Sequence, residues 1–159
     1  MFAGQLAKPR AQIWNGSVSS NWNNPANWAS CCGVPPNGSD VTIATTVNEP
    51  ILPGAVSIRH LTLNATKILN IGSNTLTITG EIDGAGVLSG SLTSNLIING
   101  NAGVLNFDQT SASTRSLQSL TLSPGSISTL STDLEVTTLN ANPTASFTVT
   151  AGVNLNVKL

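Results

Sequence analysis

The sequence predicts an all-β protein of the parallel β-helix type, a β-solenoid, on the strength of three observations. Short stretches of alternating apolar and polar residues recur after Asp40, turn-forming residues separate them, and one longer segment is repeated about sixty residues further on. Evenly spaced short strands are typical of solenoids, sandwiches and barrels. We expect right-handed coiling, which is the rule for parallel crossovers.

Each alternating stretch is typical of a half-buried strand, because successive side chains point to opposite faces. Turn residues such as NGSD, DGAG, SPGS and NANP lie between the stretches, and no window has helical periodicity. The predicted strands are VTI at 41–43, LTL at 61–63, LTITG at 76–80, LII at 96–98, LNF at 105–107, LTL at 120–122, LEV at 134–136, FTV at 147–149 and LNVKL at 155–159.

The internal repeat favours a solenoid over the alternative, an antiparallel β-sandwich. Residues 57–71 align with 116–130, so that Leu61 matches Leu120 and Ile68 matches Ile127. This offset corresponds to three coils of roughly twenty residues each, and stacked repeating units are the signature of solenoids. A sandwich needs no such repeat.

All three tryptophans, Trp14, Trp22 and Trp28, lie in the segment IWNGSVSSNWNNPANW. The first coil of a solenoid would expose its core and its unpaired strand edge, so terminal caps are atypical in sequence. We expect these side chains to cover that end, because an indole buries much apolar area while its N–H reaches a carbonyl or solvent. Exposed rings would instead be candidate contacts for a glycan.

The length of 159 residues is suited to one folding unit. We expect an N-terminal arm or leader remnant at 1–12, a Trp-rich cap with the first coil at 13–53, and the remaining solenoid coils at 54–159.

The cap segment resembles the Trp-rich opening of β-solenoid modules in large secreted, adhesin-like proteins of Gram-negative bacterial surfaces. The resemblance covers about a quarter of the chain and implies an extracellular stalk, adhesin or surface-layer role without catalysis. Two departures are the Cys31-Cys32 pair and the shortness of this chain beside that family's members. The matching positions are Trp14, Gly16, Trp22, Pro25, Asn27, Trp28, Val34, Pro35, Asp40, Val41 and Ile43.

The composition argues against several partners. Charged residues make up 8% of the chain, with six Lys and Arg against seven Asp and Glu. Such a balance provides no basic field for counterion release, so we expect no nucleic acid partner. No apolar run approaches the roughly 20 residues of a membrane span.

The residues that carry enzyme chemistry are scattered. The seven acids lie mostly alone near turns, and His60 is the single histidine. Catalysis and metal binding both require clustered groups. We therefore expect no enzyme activity, no metal and no cofactor.

Cys31 and Cys32 are the only cysteines. Bonding between neighbours is disfavoured, because adjacent Cα atoms about 3.8 Å apart are closer than in ordinary disulfides. Any other disulfide would have to join two chains. The pair is therefore a candidate intersubunit disulfide.

The favoured function is an extracellular structural protein that assembles with itself, head to tail, into a filament, sheath or stalk at the cell surface. The alternating strand AGVNLNVKL offers an uncapped docking face at the C-terminal end. The alternatives are an adhesin or glycan-binding module and, third, an ice-binding surface, for which Thr75, Thr77 and Thr79 supply one ladder. Candidate assembly ends are Phe2, Leu6, Leu155, Val157 and Leu159.

Overall fold

A computed structural model describes residues 11–29, 33–44 and 47–158. Phe2, Leu6, Cys31, Cys32 and Leu159 lie outside these ranges. The described residues form one 3-10 helix, Pro25–Asn27, and fourteen strands. The strands are β1 (Gln12–Trp14), β2 (Ser39–Ile43), β3 (Val56–Leu63), β4 (Ile68–Asn70), β5 (Thr75–Ile78), β6 (Ile82–Asp83), β7 (Val87–Ser89), β8 (Ser91–Ile98), β9 (Asn101–Leu105), β10 (Ser116–Leu122), β11 (Ile127–Leu130), β12 (Leu134–Ala141), β13 (Ser146–Val149) and β14 (Leu155–Val157).

The strands wind into a β-solenoid of about six turns. Every pairing between these strands is parallel. Twelve of them form one continuous sheet, while β4 and β7 form a second, two-stranded sheet. The predicted all-β solenoid is confirmed, and parallel pairing excludes the antiparallel sandwich.

Backbone hydrogen bonds between equivalent strands run along the solenoid axis, so the strand register measures the coil length. Successive partners lie 20, 21, 21, 25 and 19 residues apart. The 25-residue coil contains the Ser- and Thr-rich loop 108–115. We call a set of register partners stacked through successive coils a column. The spacings above are measured along the column Val41, Leu61, Ile82, Gly103, Ser128 and Phe147.

The predicted coil length of about twenty residues is correct, but the repeat alignment is wrong. Leu61 pairs with Val41 and Ile82, whereas Leu120 pairs with Leu96 and Leu139. The two leucines therefore occupy different columns. Leu-Thr-Leu alternation occurs on more than one face of the solenoid, so similarity with a period of two cannot show which face a strand occupies.

The core consists of stacked aliphatic side chains inside the coils. Ile58, Ile78, Ile98 and Leu122 form one such ladder, and none is more than 2% exposed. Each fully buried side chain of this kind contributes about 1.5–3 kcal/mol relative to exposure. The ladders hold successive coils together and position the two ends of the solenoid.

Candidate functional site: the two ends of the solenoid

The three tryptophans form a buried cluster at the N-terminal end. Trp14 stacks on Trp22 with ring centroids 6.1 Å apart, and Trp28 meets them edge to face at 5.0 and 4.7 Å. Their exposed fractions are 0%, 2% and 5% for Trp14, Trp22 and Trp28. Edge-to-face pairs contribute about 0.5–1.5 kcal/mol beyond the buried area.

Two of the indole N–H groups donate to backbone carbonyl oxygens, as expected for a buried indole. Trp14 Nε1 donates to Asn48 O at 2.9 Å, and Trp28 Nε1 donates to Trp22 O at 2.8 Å. The rings cover one another and the end of the core. Glycan stacking on exposed indoles is therefore not available in this arrangement, because a sugar has no open ring face to contact.

Asn27 connects the loops of this end through its side-chain amide. It is fully buried. Its Oδ1 accepts from the backbone N–H groups of Val18 and Ser19, at 2.9 and 3.1 Å. Its Nδ2 donates to Asn21 O at 2.9 Å and to Ser19 Oγ at 3.2 Å. One side chain thereby satisfies four polar groups of the loop.

The outer edge of β1 is covered by the chain itself. Asn15 N donates to Asn27 O and Ala29 N donates to Ile13 O, each at 2.8 Å, around an antiparallel bridge between Trp14 and Trp28. The other edge of β1 pairs with β2. We call residues 13–29 the sealed end, since the edge of β1 offers no row of free backbone groups to another strand.

Unlike β1, the strands of the last described coil have no described segment covering their outer edge. β13, β14 and residues 138–141 of β12 pair with the preceding coil on one edge, and among the described residues no strand pairs with their outer edge. We call these three segments the open end. Two predicted assembly residues, Leu155 and Val157, lie on β14.

The apolar side chains of the open end are incompletely buried. Val149 and Val157 are each 37% exposed. A groove of about 400 Å³ is lined by residues 121–124 and by residues 140–142, which include the end of β12. The partly buried residues that pack on the core here are Leu139, Ala145, Phe147, Val153 and Leu155.

Charged side chains form ion pairs on the first coils and directly after β14. Arg59 donates from Nε and Nη2 to the two carboxylate oxygens of Asp40, at 2.8 and 2.7 Å. This hydrogen-bonded pair holds the pKa of Asp40 below its ordinary value of 3.8. In the same way, the hydrogen bond from Lys158 lowers the pKa of Glu135. By contrast, residues 137–157 contain no charged side chain.

The histidine lies close to one acid, since the backbone of His60 hydrogen-bonds to the Asp40 carboxylate. His60 Nδ1 accepts from Glu81 N at 3.3 Å on the exposed side of a coil. Within ranges 11–29, 33–44 and 47–158, no three His, Cys, Asp or Glu side chains are grouped as a metal site would require.

A second cleft, of about 350 Å³, lies beside the tryptophan cluster. Its lining is neutral and rich in proline, with Trp22, Val34, Pro35, Pro53 and Val56 among its apolar members. Asn23 and Asn37 supply amide groups. No local pattern in the sequence marks this cleft, because its lining comes from three separate segments of the chain.

Together, these features define a β-solenoid domain whose first strand, β1, is covered on its outer edge by residues 27–29. The chain belongs to the family described as a domain of unknown function, DUF8693, whose model matches residues 13–124. The match includes the sealed end and stops before the open end. No curated protein and no solved structure matches the chain. The part of the chain that the structure describes contains no helix suited to crossing a bilayer.

Proposed function

We propose that this chain is a non-catalytic structural module of a secreted bacterial surface protein, a β-solenoid that assembles end to end into a filament, sheath or stalk and is covered along its first strand. The stack of parallel coils, covered at its first strand, carries the proposal. Residues 27–29 cover the outer edge of β1, so no further strand is added there. Unpaired edges are sites for the addition of further strands.

The resemblance of the cap segment to adhesin-like surface modules supports secretion and a place at the cell surface. The composition supports the same role, because a neutral surface rich in Ser, Thr and Asn suits a filament, sheath or stalk better than a site for charged substrates. Cys31 and Cys32 are proposed to strengthen contacts between chains in an oxidising exterior.

The covered edge of β1 limits the contacts by which two copies could assemble end to end. In a head-to-tail fibre, the open end of one copy would have to meet the sealed end of the next. That contact could use side chains of the cap, but it could not pair strands along β1.

Surface exposure of the native protein tests the proposal. Intact cells of the source bacterium are treated with a protease and probed with an antibody against this chain, with a cytoplasmic protein as the control. We expect the chain to be cleaved while the control stays intact. Protection of the chain in intact cells, with cleavage after lysis, would overturn the proposal.

A glycan-binding adhesin module is the second candidate, and the neutral cleft beside Trp22 is the observation that favours it. Trp22 lines this cleft, so a sugar bound there should change tryptophan fluorescence. Titration with surface polysaccharides tests this candidate, with an Asn23→Ala, Asn37→Ala double variant as the control. Unchanged fluorescence across the series would reject it.

A further inference from the structure

Three Asn-x-Ser/Thr sequons, the acceptor pattern of N-linked glycosylation, occur in the chain. They are Asn15-Gly-Ser17, Asn37-Gly-Ser39 and Asn64-Ala-Thr66. Because the pattern specifies an asparagine and a hydroxyl residue two positions later, an enzyme that recognises it must reach both side chains. The contacts that the folded chain makes with these two side chains therefore distinguish the three sequons.

The first two sequons are held by the fold. Asn15 Oδ1 accepts from Ser17 N at 3.0 Å, and the Ser17 hydroxyl donates to a backbone carbonyl at 3.1 Å. Asn37 Oδ1 accepts from a backbone N–H of the next coil at 2.9 Å, and the Ser39 hydroxyl donates to a backbone carbonyl at 2.6 Å. An enzyme would have to break these hydrogen bonds in order to bind either sequon.

The third sequon is not held in this way. Asn64 and Thr66 lie in the turn between β3 and β4, and both are exposed. Among the described residues, neither the Asn64 amide nor the Thr66 hydroxyl takes part in a side-chain hydrogen bond. The facing turn of the next coil consists of Gly84, Ala85 and Gly86, and a Cβ at Gly86 would lie 2.6 Å from Asn64 O. These small residues leave room beside Asn64 for a large branch.

Thr66 has a strained backbone. Its φ is +68°, and it is the only described residue other than glycine with a positive φ. A β-branched residue is rarely found in this region, and such strain points to a role other than folding. Three other turns that are closed by the same kind of hydrogen bond, from the fourth residue to the first, have glycine at the equivalent position, namely Gly38, Gly125 and Gly152. The chain thus has a threonine where the sequon requires one, although glycine would suit the turn better.

We propose that Asn64 is a site of N-linked glycosylation. In the transfer, Nδ2 of Asn64 bonds to the anomeric carbon of an activated, phosphate-linked sugar. The bond from that carbon to the phosphate oxygen breaks, the phosphate leaves with the electron pair, and the amide loses one proton. The inference rests on the proposed function, since N-linked glycans occur on surface loops of secreted proteins. A glycan here would add a bulky, solubilising group to the neutral surface.

Peptide masses of the native chain test the proposal. The chain is purified from the source bacterium and digested with trypsin, which cuts after Arg10, Arg59 and Lys67. Peptide 60–67 then contains Asn64 as its single asparagine, whereas peptide 11–59 contains the other two sequons. We expect one or more added sugar residues on 60–67 and none on 11–59. Peptide 60–67 at its sequence mass would overturn the proposal, and so would sugar on 11–59 alone.

Variants expressed in the same bacterium test the part played by the sequon. Asn64→Gln and Thr66→Ala should each lose the added mass of peptide 60–67, whereas Thr66→Ser keeps the pattern and should retain it. Thr62→Ala is the matched control, because it removes the other hydroxyl of this peptide and leaves the sequon intact. Added mass that persists in Asn64→Gln would overturn the proposal, since the sugar would then be on a hydroxyl.

Protease treatment of intact cells separates this inference from the proposed function. An unmodified peptide 60–67, in a chain that is cleaved on intact cells, would overturn the glycosylation and leave the surface role standing. A modified peptide, in a chain that is protected until the cells are lysed, would overturn the surface role and leave the glycosylation standing.

Discussion

Ser128 on β11 and Phe147 on β13 are register partners on the last two coils, one a buried hydroxyl residue and the other a partly buried aromatic. Ser128 is 2% exposed, and its Oγ has no hydrogen-bond partner among the described residues. Gly103 precedes it in the same column. Two small residues therefore precede the bulky Phe147 in this column.

Replacing Ser128 with alanine should stabilise the protein. A buried hydroxyl without a partner carries a desolvation cost, and the change removes that group while retaining the Cβ, so we expect a gain of about 1 kcal/mol in the free energy of unfolding. Urea denaturation measures it. Ser126→Ala should behave in the same way, since its Oγ is also buried and unpartnered. A loss of stability in both variants would mean that these hydroxyls are hydrogen-bonded in solution.

Replacing Asn27 with alanine should destabilise the sealed end. The change leaves the N–H groups of Val18 and Ser19 without the buried Asn27 acceptor, at an expected cost of about 2 kcal/mol in the free energy of unfolding. Asn24→Ala is the matched control. Its Oδ1 accepts only the N–H of Ala26 at the start of the 3-10 helix, where loss of a cap costs about 1 kcal/mol. Equal losses in the two variants would contradict the role assigned to Asn27.

Replacing Leu120 with aspartate should unfold the domain, because the change buries an unpaired charge in the core. Leu61→Asp should have the same effect, since both leucines are fully buried. Thr121→Asp, one residue along β10, is the control, because the intermediate exposure of Thr121 places it on the outer surface. Circular dichroism and melting curves distinguish the two cases. A folded Leu120→Asp variant would show that the inner and outer faces have been exchanged.

Acid should weaken the contact between the first two coils. Arg59 lowers the pKa of Asp40 in the folded state, so the pair contributes its full stability above the ordinary value of 3.8 and loses it as the pH falls through the lowered pKa. The melting temperature should therefore fall on acidification below about pH 4. Arg59→Gln should reduce the part of this fall that is due to Asp40. A variant with an unchanged acid profile would show that the pair makes no contribution.

Local patterns predicted much of the fold. The alternation of Leu with Thr or Asn places strands at 61–63, 76–78 and 120–122, as the structure has them. This works because a period of two follows directly from strand geometry. Burial of the three tryptophans and carbonyl bonds from two of their N–H groups were also predictable, since few polar groups satisfy a buried indole better than a backbone carbonyl.

Which residues are register partners in successive coils could not be predicted from local patterns. Leu61 and Leu120 have the same local sequence, but they lie in different columns because the coils vary from 19 to 25 residues in length. The cleft beside Trp22 was missed for a related reason, as its lining comes from three loops that only the winding of the chain brings together.

The sequence by itself determined the strands, the solenoid class, the tryptophan cluster at one end and the uncharged stretch at the other. These are local properties, and each follows from side-chain alternation, composition or position in the chain. Only the tertiary structure decided that residues 27–29 cover the outer edge of β1 and that β13 and β14 pair with β11 and β12. Edge pairing depends on backbone groups that every residue carries alike, so which edge is covered is determined by how the chain winds in space.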